Sequence, residues 1–101
     1  MKHTTIRNLI LAGLSAALGA GAATAQVVNH DTVKCEGIAK EEMKPQMELQ
    51  RRLVESGWKV RQVKTFNGCY EVYGFDEKGE RTEAFFNPKT LEKIGVVKQG
   101  S

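Results

Sequence analysis

Five side chains in this sequence have types that could do chemistry: Cys35, Cys69, Glu71, Glu83 and His30. Glu71 and Glu83 would project from one face of a hairpin if the segments around them pair, and two acids so placed are the raw material of general acid/base catalysis. The plainer reading pairs them with Lys59, Arg61 or Lys64 on a neighbouring strand, where opposite charges support cross-strand contacts. A nucleophilic cysteine would need a base, and only His30 lies near Cys35 in sequence. A metal centre would recruit His30, Asp31 or Glu36 around Cys35, but there is no CxxC pair, no second His after residue 25 and no recurring ligand spacing. Haem attachment would need CxxCH, and the sequence also lacks GxSxG, HExxH and a Gly-rich phosphate loop. The expectation is a noncatalytic protein without metal or cofactor. A divalent ion held by scattered carboxylates is a lesser reading that calorimetry would detect.

How the cysteines are read depends on compartment. Lys2 and Arg7 give a positive start, an apolar stretch runs from Leu9 to Leu18, and Ala23-Thr24-Ala25 gives a small-x-small site, the three parts of a secretory signal peptide. Cleavage after Ala25 would leave 76 residues with 13 basic and 12 acidic groups, a net +1 against +3 for the whole 101-residue chain. That near-neutral balance removes the electrostatic case for nucleic-acid binding. The apolar stretch, broken by Gly13, Ser15, Gly19 and Gly21, falls short of the ~20 residues of a membrane-spanning helix. A periplasmic or secreted protein without stable membrane insertion is expected. In an oxidising compartment Cys35 and Cys69 are read as a disulfide. Closing a loop of that length would stabilise by about 3 to 4 kcal/mol, a large share of the stability of a domain this small.

The elements that must position these residues follow from periodicity. Residues 26–42 read as a linker, with Asn29-His30-Asp31-Thr32 solvated between the cleavage site and the fold, which occupies residues 43–98. A helix starting at Glu41 or Pro45 and ending at Ser56 is predicted from its helix formers, with Pro45 in the first turn and Gly57 just past the end. Met43, Met47, Leu49, Leu53 and Val54 are expected on its packing side. From Trp58 the period shifts toward two, giving strands at 59–66, 69–76 and 81–87 and a short fourth strand or helix at 93–98. Asn67-Gly68 and Asp76-Glu77-Lys78-Gly79 are tight turns. The fold class is α+β: one N-terminal helix packed on a three- to four-stranded antiparallel meander. Tyr70, Val72, Ala84 and Phe86 face one way. Cys69, Glu71, Tyr73, Phe75, Glu83 and Phe85 face the other, which is either covered by the N-terminal segment through Cys35–Cys69 or free for a partner. Tyr73, Phe75 and Phe85, with Glu71 and Glu83, make up the candidate binding surface.

Gly57-Trp58-Lys59-Val60, Gly68-Cys69-Tyr70-Glu71-Val72-Tyr73-Gly74, Asp76-Glu77-Lys78-Gly79 and Glu83-Ala84-Phe85-Phe86-Asn87-Pro88-Lys89-Thr90, following a helix, resemble the PepSY domain. More closely, the sequence resembles the small stand-alone exported PepSY proteins of Gram-negative bacteria, from about Met43 to Val97. One departure is Leu91, which stands where the family usually has Gly after Pro-x-Thr. The resemblance implies a noncatalytic module acting by contact with another envelope or secreted protein. A peptidase is the partner it suggests, because PepSY domains accompany thermolysin-like secreted metallopeptidases as propeptides. The alternative is a general envelope protein- or ligand-binding module with no link to proteolysis.

Overall fold

In the computed structural model residues 26–97 are described; the signal peptide expected over residues 1–25 and its cleavage site lie outside them. Five strands form one mixed sheet: β1 (Val27–Val28), β2 (Lys59–Phe66), β3 (Cys69–Phe75), β4 (Arg81–Phe86) and β5 (Lys93–Val97). Their order is β1-β5-β4-β3-β2. Strands β2 to β5 are the expected antiparallel meander, and residues 93–97 are a strand. The meander is extended by β1, which pairs in parallel with β5 through Val27 opposite Val96 and Val28 opposite Val97. Gly95 permits this approach, since a Cβ there would meet Val28 Cγ1 and Gln26 O. A two-residue strand whose partner lies at the other end of the fold has no periodicity for a sequence to display.

Each turn has a local cause. Asn67 (φ 51°) and Gly68 (φ 80°) both occupy the left-handed region, as a type I′ hairpin turn requires. In the next turn Asp76 Oδ1 accepts hydrogen bonds from the backbone N–H groups of Lys78 and Glu80. Beyond β4, Asn87 Oδ1 accepts from Lys89 N–H and Thr90 N–H, and Leu91 N–H donates to Asn87 O. This closes a single helical turn and leaves Leu91 at φ 66° with its side chain in the core.

Helix α1 spans Gln46–Glu55, shorter than expected. Pro45 precedes it in an extended conformation (ψ 146°) rather than lying in its first turn. Only Leu49 and Leu53 of the helix are buried, while Met47 and Val54 are exposed. At 100° per residue, positions 49 and 53 share a face and positions 47 and 54 lie about 140° to 160° away from 49, so the five apolar residues never formed one stripe. Leu49 and Leu53 pack with Trp58, Tyr70, Val72, Ala84, Phe86 and Leu91. Burying each leucine contributes on the order of 1.5 to 3 kcal/mol. The buried Tyr70 hydroxyl donates to Lys44 O at 2.6 Å, which fixes the chain entering the helix.

The opposite face of the sheet has its own apolar cluster of Val33, Cys69 and Phe85, with Val28, Cys35, Phe66, Ile94 and Val97 packed against it. Residues 26–35 are thus a strap across the sheet and not a linker. Cys35 N–H donates to Asn67 O, and Asn67 Nδ2 donates to Val33 O, tying the strap to the β2–β3 turn.

Candidate functional site

The β3–β4 register places Glu71 opposite Phe85 and Tyr73 opposite Glu83. Glu71 and Glu83 are therefore diagonal neighbours on one face, as the hairpin reading expected. The strap supplies the third member. A short 3-10 turn at His30–Thr32 begins at Asn29, whose side chain accepts from Asp31 N–H. The turn lays the His30 ring on Phe66, with centroids 4.4 Å apart, and beside Phe85 at 5.7 Å. His30 Nε2 lies 3.2 Å from Glu71 Oε2 and 3.7 Å from Glu83 Oε2, while Nδ1 lies 3.0 Å from Asp31 Oδ1. The Tyr73 hydroxyl donates to Glu71 Oε2 at 2.7 Å.

These contacts replace the expected partners. Among the described residues neither glutamate forms a salt bridge with Lys59, Arg61 or Lys64. Lys64 is opposite Glu71 in register, but its Nζ sits over the Tyr73 ring, 5.3 Å from the centroid. His30, expected in a solvated linker, meets the acids because the strap crosses that face. Sequence reasoning had the residue and its neighbours, but the three segments meet only through the strap, and no local spacing signals that.

Electrostatics divide the two acids. Burial pushes the Glu71 carboxyl up, yet the neighbouring Glu83 carboxyl, the Tyr73 hydroxyl and the charges of His30 and Lys64 outweigh it, leaving Glu71 below its ordinary value. Burial and the Glu71 charge both raise Glu83. The His30 imidazole is raised by its hydrogen bond to Asp31 against a smaller effect of burial, with further support from Glu71 and Glu83. Burial and the Glu71 carboxylate push the Tyr73 phenol well up, so it stays a donor. Glu71 has no exposed surface, so a substrate would have to displace His30 to reach it. The arrangement suits holding a positive charge better than general acid/base turnover.

The other singled-out residues separate. Cys35 and Cys69 are joined by a disulfide with Cα atoms 5.0 Å apart, and Cys69 is fully buried. Phe85, expected on the binding surface, is fully buried beneath the strap and is not available to a partner. The same burial removes Glu71 from that surface. Tyr73 and Phe75 are half-buried. They line a shallow depression with Arg61, Arg81 and Glu83.

Residues 9–98 match a family model described as peptidase propeptide and YPEB domain. No curated protein and no solved structure gives a match.

Proposed function

The chain belongs to the PepSY family, the match spanning residues 9–98, and from that premise we propose that it is an exported, noncatalytic module that modulates or inhibits a peptidase by protein contact. The family match carries this reading. It accords with a fold whose sheet is covered on both faces, by α1 and by the strap, leaving surface contact as the means of action. The Cys35–Cys69 disulfide supports an oxidising compartment. Among the described residues no helix is long and apolar enough to cross a membrane.

The contact surface we assign is the depression around Tyr73 and Phe75. Aromatic side chains with arginine are the usual anchors of protein interfaces, and Arg61 and Arg81 flank this pair. The test is inhibition of secreted metallopeptidases by the purified protein, with Phe75→Ser and Arg81→Glu as variants checked for unchanged unfolding midpoints. Slowed substrate cleavage that each variant relieves supports the reading. Unchanged cleavage across a panel of peptidases from the same envelope sinks it, and favours an envelope-binding module with no role in proteolysis.

A further inference from the structure

The cluster on the strap side has the composition of a cation site. His30, Glu71 and Glu83 each offer one ligand atom, and these atoms all lie within 4.8 Å of one another. Ligands around a first-row cation, at about 2.0 to 2.2 Å from it, stand about 3 to 3.5 Å from each other. The 3.2 Å and 3.7 Å separations of His30 Nε2 from the two carboxylate oxygens already approach that spacing.

Two further observations point to a ligand. Glu71 is fully buried, and its Oε1 has no hydrogen-bond partner among the described residues, a costly state for a carboxylate oxygen unless a positive charge answers it. The outer partners are also arranged as metal sites arrange them. Asp31 Oδ1 lies 3.0 Å from His30 Nδ1, where accepting its proton leaves the Nε2 lone pair directed at the carboxylates. The Tyr73 hydroxyl donates to Glu71 Oε2, the oxygen 3.2 Å from His30 Nε2, and so fixes the orientation of the carboxylate. Phe66 and Phe85 wall one side of the imidazole. The His30 and Glu83 side chains retain 34% and 16% exposure, which gives an ion a way in and leaves room for water as a remaining ligand.

The geometry points to a divalent transition-metal site formed by His30 of the strap with Glu71 and Glu83 of the β3–β4 hairpin. One imidazole and two carboxylates suit zinc, cobalt or manganese, while the nitrogen ligand disfavours calcium and magnesium. Because one ligand comes from the strap and two from the sheet, the ion would lock the strap in place and stabilise the folded chain.

The test uses tag-free protein beginning at Gln26, stripped with a chelator and titrated with Zn2+, Co2+ or Mn2+ by calorimetry, followed by thermal unfolding. One ion per chain, a raised unfolding midpoint and an absorption spectrum for bound Co2+ with nitrogen and oxygen ligands are expected. His30→Ala and Glu83→Gln should each weaken binding by at least about tenfold, since even outer partners are worth about 10- to 100-fold. Glu36→Gln, at an exposed carboxylate outside the cluster, should leave it intact. Both ligand variants alter partly exposed positions, and their metal-free unfolding establishes that they fold. No stoichiometric binding of any of the three ions, or binding indifferent to both ligand variants, overturns the site.

Discussion

Leu91 shows how a single residue can be strained and indispensable together. Its left-handed backbone costs about 1 to 2 kcal/mol in a non-glycine residue, but its buried side chain fills the core against the helix. Truncating a buried leucine costs about 2.7 to 5 kcal/mol, more than glycine would recover. Leu91→Gly should therefore destabilise by about 1 to 3 kcal/mol in chemical denaturation, and a stabilised variant would show that the turn dominates. His30 carries a second expectation at this scale. Its imidazole is raised in the fold, so the stability it contributes is complete below about pH 6.5 and is lost as pH rises through the raised value. Glu83, also raised, has the same sign beginning in the ordinary carboxylate range, whereas the lowered Glu71 contributes above that range and loses its contribution in stronger acid. With divalent ions removed, the unfolding midpoint should fall from pH 6.5 upward, and His30→Ala should flatten that decline. An equal slope in the variant would place the titration elsewhere.

Among the elements, legibility tracked the range of the interaction that forms each one. The β2–β3 hairpin was readable because Asn67 and Gly68 meet a local backbone requirement, and the β3–β4 faces were readable because alternation fixes them once the turn is placed. The helix was readable in place but not in orientation: Met47 and Val54 are apolar, yet only Leu49 and Leu53 of the helix are buried. The strap was readable only as one of two alternatives, a cover tied through Cys35–Cys69, and its course over the sheet was not. Its two-residue strand and single 3-10 turn are held by β5, by Asn67 and by the disulfide, none of which is near in sequence. The site shared this fate, since Glu71 and Glu83 were paired correctly while His30 was assigned to solvent. The disulfide makes a quantitative expectation possible. Changing Cys35 and Cys69 together to Ser should cost about 3 to 4 kcal/mol in denaturant unfolding while the far-ultraviolet signature of the sheet survives. Equal stability would refute the loop-closure account.

At the scale of the whole molecule, the domain is a sheet between two unlike covers. One is a regular helix with leucine anchors; the other is an irregular segment held by backbone pairing, one disulfide and the His30 contacts. The two covers should separate experimentally. A chain lacking residues 26–35 should retain α1 and the meander but bind a hydrophobic dye through the uncovered Phe85 and Val97, and dye binding equal to that of the intact protein would show that the strap is not what shields them. The peptidase-contact reading belongs to this scale too, because the depression at Tyr73 and Phe75 lies on the strap's side of the sheet. Arg81→Glu, at an exposed position, should lose peptidase binding without a change in the unfolding midpoint.

The position of the disulfide in the chain bears on survival beside a protease. The bond spans 34 residues and encloses α1, the exposed Ser56 and Gly57 that follow it, and all of β2. A single cut anywhere inside that ring severs the polypeptide without releasing a fragment, and the nicked halves remain tethered at the strap. On a nonreducing gel the cleaved protein should migrate as one species, and on a reducing gel as two.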